Sequence, residues 1–352
     1  MDPVTHVVAG ACIAAAIAPA RHRRAALVLG AALNTLPDLD YLPLAFADPV
    51  ARATLHRSFS HSLLVLPLVA FALWWLTRRV APVTKEAPAR WFAVFAAALV
   101  SHPLLDAMTV YGTQLFWPLD AAPVMGANLF IVDPLFTLPL IVAAVAAYVW
   151  RERERAQRWL VMGLALSAGY VGWTLIAKHH LESTLRAHFA AKGAAEVELL
   201  TMPTPLNSVL WRVLVMSGDA YGEGFYSFVG SERFELVSYP ATREPPPALA
   251  EAPSVARLKR FTHGFHRWDR VGDRHVLVDL RMGAEPDYLF RFAVGEERDG
   301  AVVALDAPEQ LPWPSERVGP QLRRVAQRIF SPEEPPAEAA ATVTPEVMPR
   351  SR

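Results

Sequence analysis

Histidines and aspartates occur inside or next to long apolar runs in the first third of this 352-residue sequence. They lie in the segments PDLD (37–40), HRSFSH (56–61) and HPLLD (102–106), and one more histidine precedes the first apolar run. Ionisable side chains are costly in a membrane and usually have a function where they occur there. The candidate site residues are therefore His6, Asp38, Asp40, His56, His61, His102 and Asp106.

The segment HPLLD has a spacing that suits metal binding. His102 and Asp106 are four residues apart, so a helix places both side chains on one face, where they can hold one cation. Pro103 must then be accommodated near a helix start or a kink. The alternative is a buried, hydrogen-bonded membrane histidine and a carboxylate at a helix end.

The other two segments permit similar chemistry with different spacings. Asp38 and Asp40 flank one leucine, so two carboxylates can address one ion or bridge two, although Asp and Pro are also ordinary residues of a helix-ending turn. His56 and His61 are five residues apart and need a loop or a helix start to bring both rings together. Arg57 can hold a phosphate or carboxylate oxygen. A loop that binds lipid headgroups is the alternative for this segment.

These donors are more numerous than one structural zinc ion requires, which is four. We therefore predict a site for two or three divalent ions, with zinc as the expected metal. Ions of this type lower the pKa of bound water toward about 7 and supply hydroxide at neutral pH. The single cysteine, Cys12, excludes a thiolate zinc site and a disulfide framework.

Composition divides the chain into two regions. Lys plus Arg and Asp plus Glu are equal at 34 each, 53% of residues are hydrophobic and 19% are charged. This balance argues against a basic nucleic-acid-binding protein and against a disordered chain. Residues 1–180 contain 24 of the 68 charged side chains. We expect the first region to lie in a membrane and the second to be soluble.

Several apolar runs in the first region suit helices in a membrane, where about 20 residues cross a hydrocarbon layer of about 30 Å. Residues 129–150 and 159–177 are long enough to cross, and residues 62–77 and 91–108 are shorter or interrupted by polar groups. Residues 7–20 and 25–36 predict a hairpin of two short helices. The sequence thus predicts an α-helical membrane domain with five to six short or full-length membrane helices.

Loop charges predict the orientation of these helices, because loops rich in Lys and Arg stay in the cytoplasm. The loops 21–24, 78–90 and 151–158 contain eleven Lys and Arg, and the opposite loops 37–61 and 109–128 contain two. All candidate site residues then share the outer face. The chain after residue 178 is also placed outside, which is the periplasmic side of a bacterial inner membrane.

The second region contains short alternating runs, such as 209–216 and 274–280, separated by Gly, Asp and Pro turns. This pattern predicts a small soluble α+β domain with an antiparallel sheet, and helices over 249–262 and 315–330. The predicted organisation is a membrane domain at 1–180, a linker at 181–200, a soluble domain at 201–330 and a disordered tail at 331–352.

The order of the motifs resembles a known family. MDPVTH (1–6), PDLD, HRSFSHS (56–62) and SHPLLDAMTVYGTQLFWP (101–118) are similar to the YdjM-like family of inner-membrane-associated proteins, which are predicted to be metal-dependent hydrolases. That family is distantly similar to helical zinc phospholipase C and nuclease enzymes, which cleave phosphodiesters with three zinc ions. Those enzymes contain an H-x-x-x-D pair, matched by His102 and Asp106, and an H-x-x-x-E pair that has no counterpart in the membrane part of this sequence.

The residues and the resemblance together predict an integral membrane metal-dependent hydrolase. All seven candidates are predicted metal ligands, with an unliganded carboxylate, Asp40 or Asp106, as general base and Arg57 neutralising oxyanion charge. The expected substrate is a phosphoester of a membrane lipid or a lipid-linked molecule. One alternative is a non-catalytic protein whose metal cluster fixes short helices and whose soluble domain binds a partner. Another is a transporter that uses Asp106 and Asp133 as ion sites.

Overall fold

The computed structural model describes residues 1–150, 153–194, 197–230, 233–313, 318–330 and 346–349. The chain divides into two compact units. Unit 1 comprises Met1–Ala45 and Leu55–Leu175, and unit 2 comprises Phe46–Thr54 and Ile176–Arg352. The division falls within the last long apolar helix, close to the predicted end of the membrane region.

Helices form most of the described part of the chain up to residue 191. In chain order they are α1 (Pro3–Ile17), α2 (Arg23–Thr35), α3 (Tyr41–Leu44), α4 (Pro49–Leu55), α5 (Leu66–Val80), α6 (Val83–Glu86), α7 (Pro88–Ala107), α8 (Pro134–Val149) and α9 (Arg153–Ala191). Single 3-10 turns lie between some of them, at Ala20–His22, Leu36–Asp40 and Phe59–His61. The second of these turns contains the whole PDLD motif, and the third contains the last three residues of HRSFSH.

Aspartates define where two of these helices begin. Asp2 accepts a hydrogen bond from the backbone N–H of Thr5 at 3.0 Å and so caps α1. Asp133 caps α8, because its Oδ1 accepts from the N–H of Leu135 at 3.2 Å. Its Oδ2 accepts from the Tyr170 hydroxyl at 2.9 Å. Both oxygens of Asp133 are therefore used in local hydrogen bonds, which suits a structural part.

Helices α1 and α2 approach each other closely through glycines. A Cβ atom on Gly10 would collide with the carbonyl oxygen of Gly30 and the side chain of Asn34, and one on Gly30 would collide with Gly10 and Ala14. Small residues allow membrane helices to pack backbone against backbone. This contact sets the position of His6 on α1 against Asn34 on α2, where the two side chains are hydrogen-bonded at 3.2 Å.

Helices α7 and α8 complete the packing of unit 1. Leu99 and Phe95 of α7 pack with Leu33 and Leu66 in a buried apolar cluster. The thiol of Cys12 on α1 donates to a carbonyl oxygen of α8, that of Leu140, at 3.3 Å. Helix α7 is thereby held at the centre of unit 1, and it brings its last turns to the candidate site.

Two helices of the described chain, α7 and α9, are long and apolar enough to cross a membrane. A third span results if the bent pair Pro49–His61 and Leu66–Val80 counts as one, with a bend of 58° at its break. The helices α1 and α8 are apolar but shorter. The predicted number of five to six membrane helices therefore stays a prediction.

Unit 2 is built on antiparallel sheets. Its described strands are β1 (Glu198–Pro203), β2 (Leu210–Ser217), β3 (Ala220–Ser227), β4 (Arg233–Pro240), β5 (His266–Val271), β6 (Arg274–Asp279), β7 (Gly283–Ala284), β8 (Asp287–Tyr288), β9 (Arg291–Arg298), β10 (Ala301–Gln310) and β11 (Glu346–Pro349). One sheet has the order β1-β2-β3-β4-β11, a second has the order β10-β9-β6-β5, and β7 pairs with β8.

Helices cover parts of these sheets. The last turns of α9 bury Leu181, Leu185 and Phe189 against Trp211 and Val213 of β2. Two further helices of unit 2 are α10 (Pro253–Thr262) and α11 (Val318–Phe330), with a 3-10 turn at Pro247–Leu249. Apolar residues that alternate along the strands therefore have a helical partner on one side, as is usual in α+β domains.

The prediction of a helical first region followed by a soluble domain with antiparallel sheets is confirmed. Helix α9 continues through residues 181–191 of the predicted linker, because Lys178 and Glu182 form an ion pair at 3.0 Å and the apolar side chains beside them are buried. Glu346–Pro349, inside the predicted disordered tail, forms β11 because the edge of β4 offers unpaired backbone groups. Residues 331–345 and 350–352 of that tail lie outside the described residues.

Candidate metal centre

Four side chains from three segments of unit 1 converge on one point. Asp38 comes from the 3-10 turn after α2, His61 from the turn before α5, and His102 and Asp106 from the last turns of α7. Each offers one donor atom, and these four atoms all lie within 4.8 Å of one another. The i, i+4 pair of the HPLLD motif does face one side of a helix, with Pro103 inside that helix.

The distances among these donor atoms match those of a tetrahedral site. His102 Nε2 lies 3.0 Å from His61 Nε2, 3.2 Å from Asp106 Oδ2 and 3.3 Å from Asp38 Oδ1. His61 Nε2 lies 3.2 Å from Asp106 Oδ2 and 3.5 Å from Asp38 Oδ1. Ligand bonds of 2.0–2.2 Å around zinc place neighbouring ligand atoms about 3.3 to 3.6 Å apart in a tetrahedron. The arrangement therefore fits a zinc-type ion.

In the neutral form of each ring, the hydrogen bond at its far side leaves Nε2 without a proton. His102 Nδ1 lies 2.5 Å from the carbonyl oxygen of Asn34, which can only accept, so Nδ1 carries the proton. His61 Nδ1 lies 2.9 Å from the Ser60 hydroxyl, whose own hydrogen is donated to Asp40 at 2.7 Å. Metal-ligating histidines are usually oriented by such a bond on the other ring nitrogen.

The four donor atoms thus direct lone pairs toward one another in a buried part of unit 1. The two Nε2 atoms present lone pairs, and the oxygens of Asp38 and Asp106 are acceptors as well. Within the described part of the chain, Asp106 Oδ2 is buried and has no hydrogen-bond partner. An unpartnered buried carboxylate oxygen is costly, and a cation among the four donors removes that cost. The donor set therefore has the chemistry of a metal-binding cluster.

The other oxygen of Asp106 faces positive and neutral groups instead. Arg57 Nη2 lies 2.9 Å from Asp106 Oδ1, and the amino group of Met1 is hydrogen-bonded to the same atom. His6 Nε2 lies 3.3 Å from it, with the His6 ring stacked on the His102 ring at 3.8 Å between centroids. His6 is therefore next to the cluster but does not belong to the group of four donors.

Arg57 is buried in the interior, whereas its predicted role is to neutralise oxyanion charge on a substrate. It is buried, it has a left-handed φ of 64°, and its guanidinium also donates to the Thr109 hydroxyl at 3.1 Å. The guanidinium carbon of Arg57 lies 4.8 Å from the centroid of the Tyr111 ring. The guanidinium holds Asp106 in place, which the sequence did not indicate, and the prediction that Arg57 binds substrate oxygen stays a prediction.

Asp38, Asp40 and His56 form a second group of donors that shares Asp38 with the first. Asp40 is nevertheless used in hydrogen bonds, because it accepts from His56 Nδ1 at 2.8 Å, from Ser60 at 2.7 Å and from the N–H of Arg57 at 3.2 Å. Burial alone would raise the pKa of Asp40, but the bonds from His56 and Ser60 outweigh it and place the pKa below its ordinary value.

Among the four donors of the cluster, only Asp38 is accessible to solvent. The side chains of His61, His102 and Asp106 are fully buried, whereas the side chain of Asp38 is 31% exposed. Exposed apolar residues lie in the same segments as the donors, namely Leu39, Tyr41, Phe59 and Trp117, and the rings of the last two are 6.1 Å apart. Aromatic and aliphatic side chains in such a position are typical of a membrane interface.

The structure adds one polar residue that the sequence prediction missed. Asn34 is fully buried and bonds His6 through its side chain and His102 through its backbone, and its amide donates to Ala98 and Ser101. It is uncharged, so a search for ionisable residues passed over it, although an asparagine inside the apolar run 25–36 was a usable signal. Ser60 links His61 to Asp40 through its hydroxyl.

Comparison with known proteins agrees with the motifs on which the resemblance was based. A model of the family described as YdjM inner membrane protein matches residues 1–181, which include all seven predicted ligands. No curated protein and no solved structure matches the chain. Since the family model covers just over half of the sequence and the whole metal cluster, the chain belongs to the YdjM inner membrane protein family.

Proposed function

We propose that this inner membrane protein is a metal-dependent hydrolase, in which Asp38, His61, His102 and Asp106 hold a divalent ion such as zinc. One observation carries the proposal: three of the four donors are sealed from solvent and one, Asp38, is accessible. Catalytic zinc sites have three protein ligands and a position open to water or substrate. If Asp38 moved away from the other three donors, such a position would open at the accessible side.

The pair formed by His56 and Asp40 is the proposed proton acceptor. His56 donates from Nδ1 to Asp40, so the lone pair of the neutral ring is on Nε2, where it can take a proton. The His56 ring lies 5.5 Å from the His61 ring, which places the acceptor beside the metal cluster. A bound divalent metal would act as a Lewis acid and lower the pKa of a water molecule toward about 7.

Asp106 and Arg57 have a positioning part in this proposal. Arg57 binds one oxygen of Asp106 and so directs the other oxygen toward the two Nε2 atoms. The positive charge of Arg57 also offsets part of the negative charge of the two carboxylates in the cluster. A guanidinium 2.9 Å from its carboxylate in a buried place makes a strong, charge-assisted hydrogen bond.

The substrate class is a phosphoester of a lipid or a lipid-linked molecule. Exposed Leu39, Tyr41 and Phe59 lie beside the donors in sequence, and they can contact the apolar part of such a substrate while the polar bond reaches Asp38. A substrate from the membrane would then arrive from the accessible side of the cluster. An ester or amide of a lipid is the first alternative bond to test.

The test compares metal content with turnover in the purified full-length protein. We expect His102→Ala to lose the metal, measured by plasma mass spectrometry, and to lose hydrolysis with it. We expect His56→Gln to keep the metal but to lose about 10²- to 10⁴-fold in rate, as is usual for loss of a general base. His179→Gln, on an exposed face of α9, is the control and should keep both properties.

The assays should use three substrates: a phosphodiester, phospholipid vesicles and a carboxylic ester. Turnover by metal-loaded wild-type protein that persists in His102→Ala would show that another site is responsible. Equal rates in His56→Gln and wild type would remove His56 from the mechanism.

A structural metal is the second candidate function, and the number of donors favours it. Four protein ligands complete a tetrahedral zinc shell, which is the usual composition of structural sites. Cobalt substitution distinguishes the two: a four-coordinate spectrum that does not change with added phosphate supports the structural site. Absence of turnover on all three substrate classes, with a lower melting temperature after chelation, would also support it.

We further propose a multi-pass arrangement with the metal centre and unit 2 on the periplasmic side. The basis is the Lys and Arg of the loops 21–24, 78–90 and 151–158, which favour the cytoplasm. The cluster lies at the C-terminal end of α7, and the basic loop lies at its N-terminal end, so a crossing by α7 separates the two.

A further inference from the structure

Unit 1 contains a cavity of about 890 Å³ that the metal chemistry does not use. It lies between the last turn of α1 and the first turns of α2, α7 and α9, and it is therefore at the opposite ends of α1 and α7 from the metal cluster. Its position corresponds to the level of the Arg-rich loops.

The charges that line this cavity are mainly positive. Arg23, Arg90, Arg153 and Arg158 line it together with one acidic residue, Glu154. Glu154 lies 3.6 Å from Arg158 in an exposed pair, which is a weak interaction. The lining therefore keeps an excess of guanidinium groups, which suit phosphate because they donate two parallel hydrogen bonds.

Arg23 is the most informative of these residues, because it is only 7% exposed. Its Nη1 donates to the Arg153 carbonyl oxygen at 3.0 Å and its Nη2 donates to Gln157 at 2.9 Å. Its Nε is buried and has no hydrogen-bond partner among the residues that the structure describes. A buried guanidinium with an unused donor at a cavity indicates that an anion completes the site.

Helix geometry favours an anion at the same place. Helix α2 begins at Arg23, which lines the cavity. The N-terminal ends of helices present unpaired backbone N–H groups and the positive end of the helix dipole.

Apolar side chains continue the cavity along the helices. Ile17 of α1 and Val161 and Met162 of α9 line it, and the latter two are exposed. They follow directly on the basic residues of α9, at the start of the apolar part of a membrane helix. A basic group with adjoining apolar surface fits a molecule that has both a phosphate and hydrocarbon chains. Basic pockets between membrane helices on the cytoplasmic side bind anionic headgroups.

We propose that this cavity is a binding site for an anionic phospholipid. Its phosphate is held by Arg23, Arg90, Arg153 and Arg158, and its acyl chains lie along Ile17, Val161 and Met162. The site is separate from the metal cluster and does not depend on hydrolase activity.

Native mass spectrometry of the purified full-length protein tests this, with phosphatidylglycerol, phosphatidylcholine and inorganic phosphate as probes. The variant Arg90→Gln/Arg158→Gln removes two exposed lining charges. The control Arg79→Gln/Arg155→Gln removes two charges from α5 and α9 that do not line the cavity. Metal content and melting temperature, which the lining charges should leave unchanged, report whether each variant is folded.

We expect wild type and the control to bind one phosphatidylglycerol at least about tenfold more tightly than phosphatidylcholine. The lining variant should lose about tenfold in affinity for phosphatidylglycerol. Three results would overturn the proposal: equal losses in the two double variants, equal affinity for the two lipids, or displacement of the lipid by inorganic phosphate at the same concentration. Equal losses in the two double variants would indicate nonspecific attraction of the lipid to positive charge. Displacement by inorganic phosphate would indicate a site for an anion alone.

Discussion

Ser60 is hydrogen-bonded to one residue of each donor group, His61 of the first and Asp40 of the second. Its hydroxyl accepts from His61 Nδ1 at 2.9 Å and donates to Asp40 at 2.7 Å. It thereby fixes which nitrogen of His61 carries the proton. Ser62, two residues further on, donates instead to the carbonyl oxygen of Trp117 at 2.6 Å, with the same chemical group but a different partner.

We predict that Ser60→Ala weakens metal binding by about 10- to 100-fold, because the orientation of a ligating histidine depends on the partner of its other nitrogen. Ser62→Ala should change metal affinity by less than about twofold and should lower stability by about 1 kcal/mol. Competition with a chromophoric chelator measures both affinities. Equal effects of the two substitutions would assign Ser60 only a general structural part.

His263 in unit 2 supports a prediction about pH. Burial, together with the charge of Arg281, lowers the pKa of His263 to about 4. The folded state then disfavours protonation relative to the unfolded state, whose pKa is about 6.5. The contribution of neutral His263 to the free energy of unfolding is therefore fully present above about pH 6.5 and is lost as the pH decreases from about 6.5 to about 4. His266 titrates as well, and Asp279 opposes part of the shift.

His263→Asn should reduce this loss, and asparagine tolerates the left-handed φ of 52° at this position. Hydrogen exchange of α10 and β5 peptides, compared between wild type and variant at pH 7 and pH 5, measures the difference. A difference between the two proteins that is the same at both values would exclude His263 as the titrating group.

The sequence identified the charged residues of the site because a charge in an apolar run is conspicuous. Asp38, His61, His102 and Asp106 were all among the seven candidates, and the structure brings them together. The part of Arg57 could not be predicted, since its left-handed backbone turns the side chain toward Asp106. Spacing along the chain contains no information about such a turn.

At the scale of elements, the α1 and α2 crossing determines where the histidines on α1 and α7 meet. Gly10 and Gly30 are in contact with the opposite helix, and Asn34 one turn further bonds both His6 and His102. A larger residue at this crossing must move α1 away from α2. Asn34 is one helix turn from Gly30 and is hydrogen-bonded to His102, so the metal centre should be affected by the same movement.

We predict that Gly30→Ala lowers stability by about 1 to 3 kcal/mol, the usual cost of an overpacked contact, and also reduces metal content. Gly169→Ala on α9 is the matched control, because a Cβ atom there meets no other atom within 4 Å. Melting temperature in detergent and metal analysis are the two measurements. Full metal content in a destabilised Gly30→Ala protein would show that the contact between α1 and α2 does not affect metal binding.

Element boundaries show what periodicity can and cannot predict. Alternating runs placed β2 and β6 within about two residues of their observed ends, although most positions of both strands are buried rather than every second one. The end of α9 was not predicted, because Lys178 was expected to end an apolar span. Its ammonium group is instead paired with Glu182 and donates to the Thr201 carbonyl at 2.6 Å. Such pairing depends on a strand 20 residues away.

For the whole molecule, the proposed orientation predicts which sites a reagent can reach from outside the cell. Glu251→Cys in unit 2 should react with a membrane-impermeant maleimide in intact cells from which the outer membrane barrier has been removed. Lys85→Cys, in the basic loop before α7, should react only after the inner membrane is permeabilised. Both positions are exposed, so their reactivity reports access rather than burial.

The wild-type chain provides the background measurement for this experiment, since its one thiol is buried. Labelling of Lys85→Cys in intact cells, with protection of Glu251→Cys, would invert the orientation. Labelling of both would show that α7 does not separate the two positions.

The solitary thiol has one more consequence. Cys12 is enclosed in α1, where it is hydrogen-bonded to α8, and unit 2 has no sulfhydryl group at all. Unit 2 therefore folds without a disulfide bond, and in the proposed orientation its folding does not depend on the oxidising machinery of the cell envelope. Cells deprived of their disulfide-forming catalysts should accumulate this protein at an undiminished level.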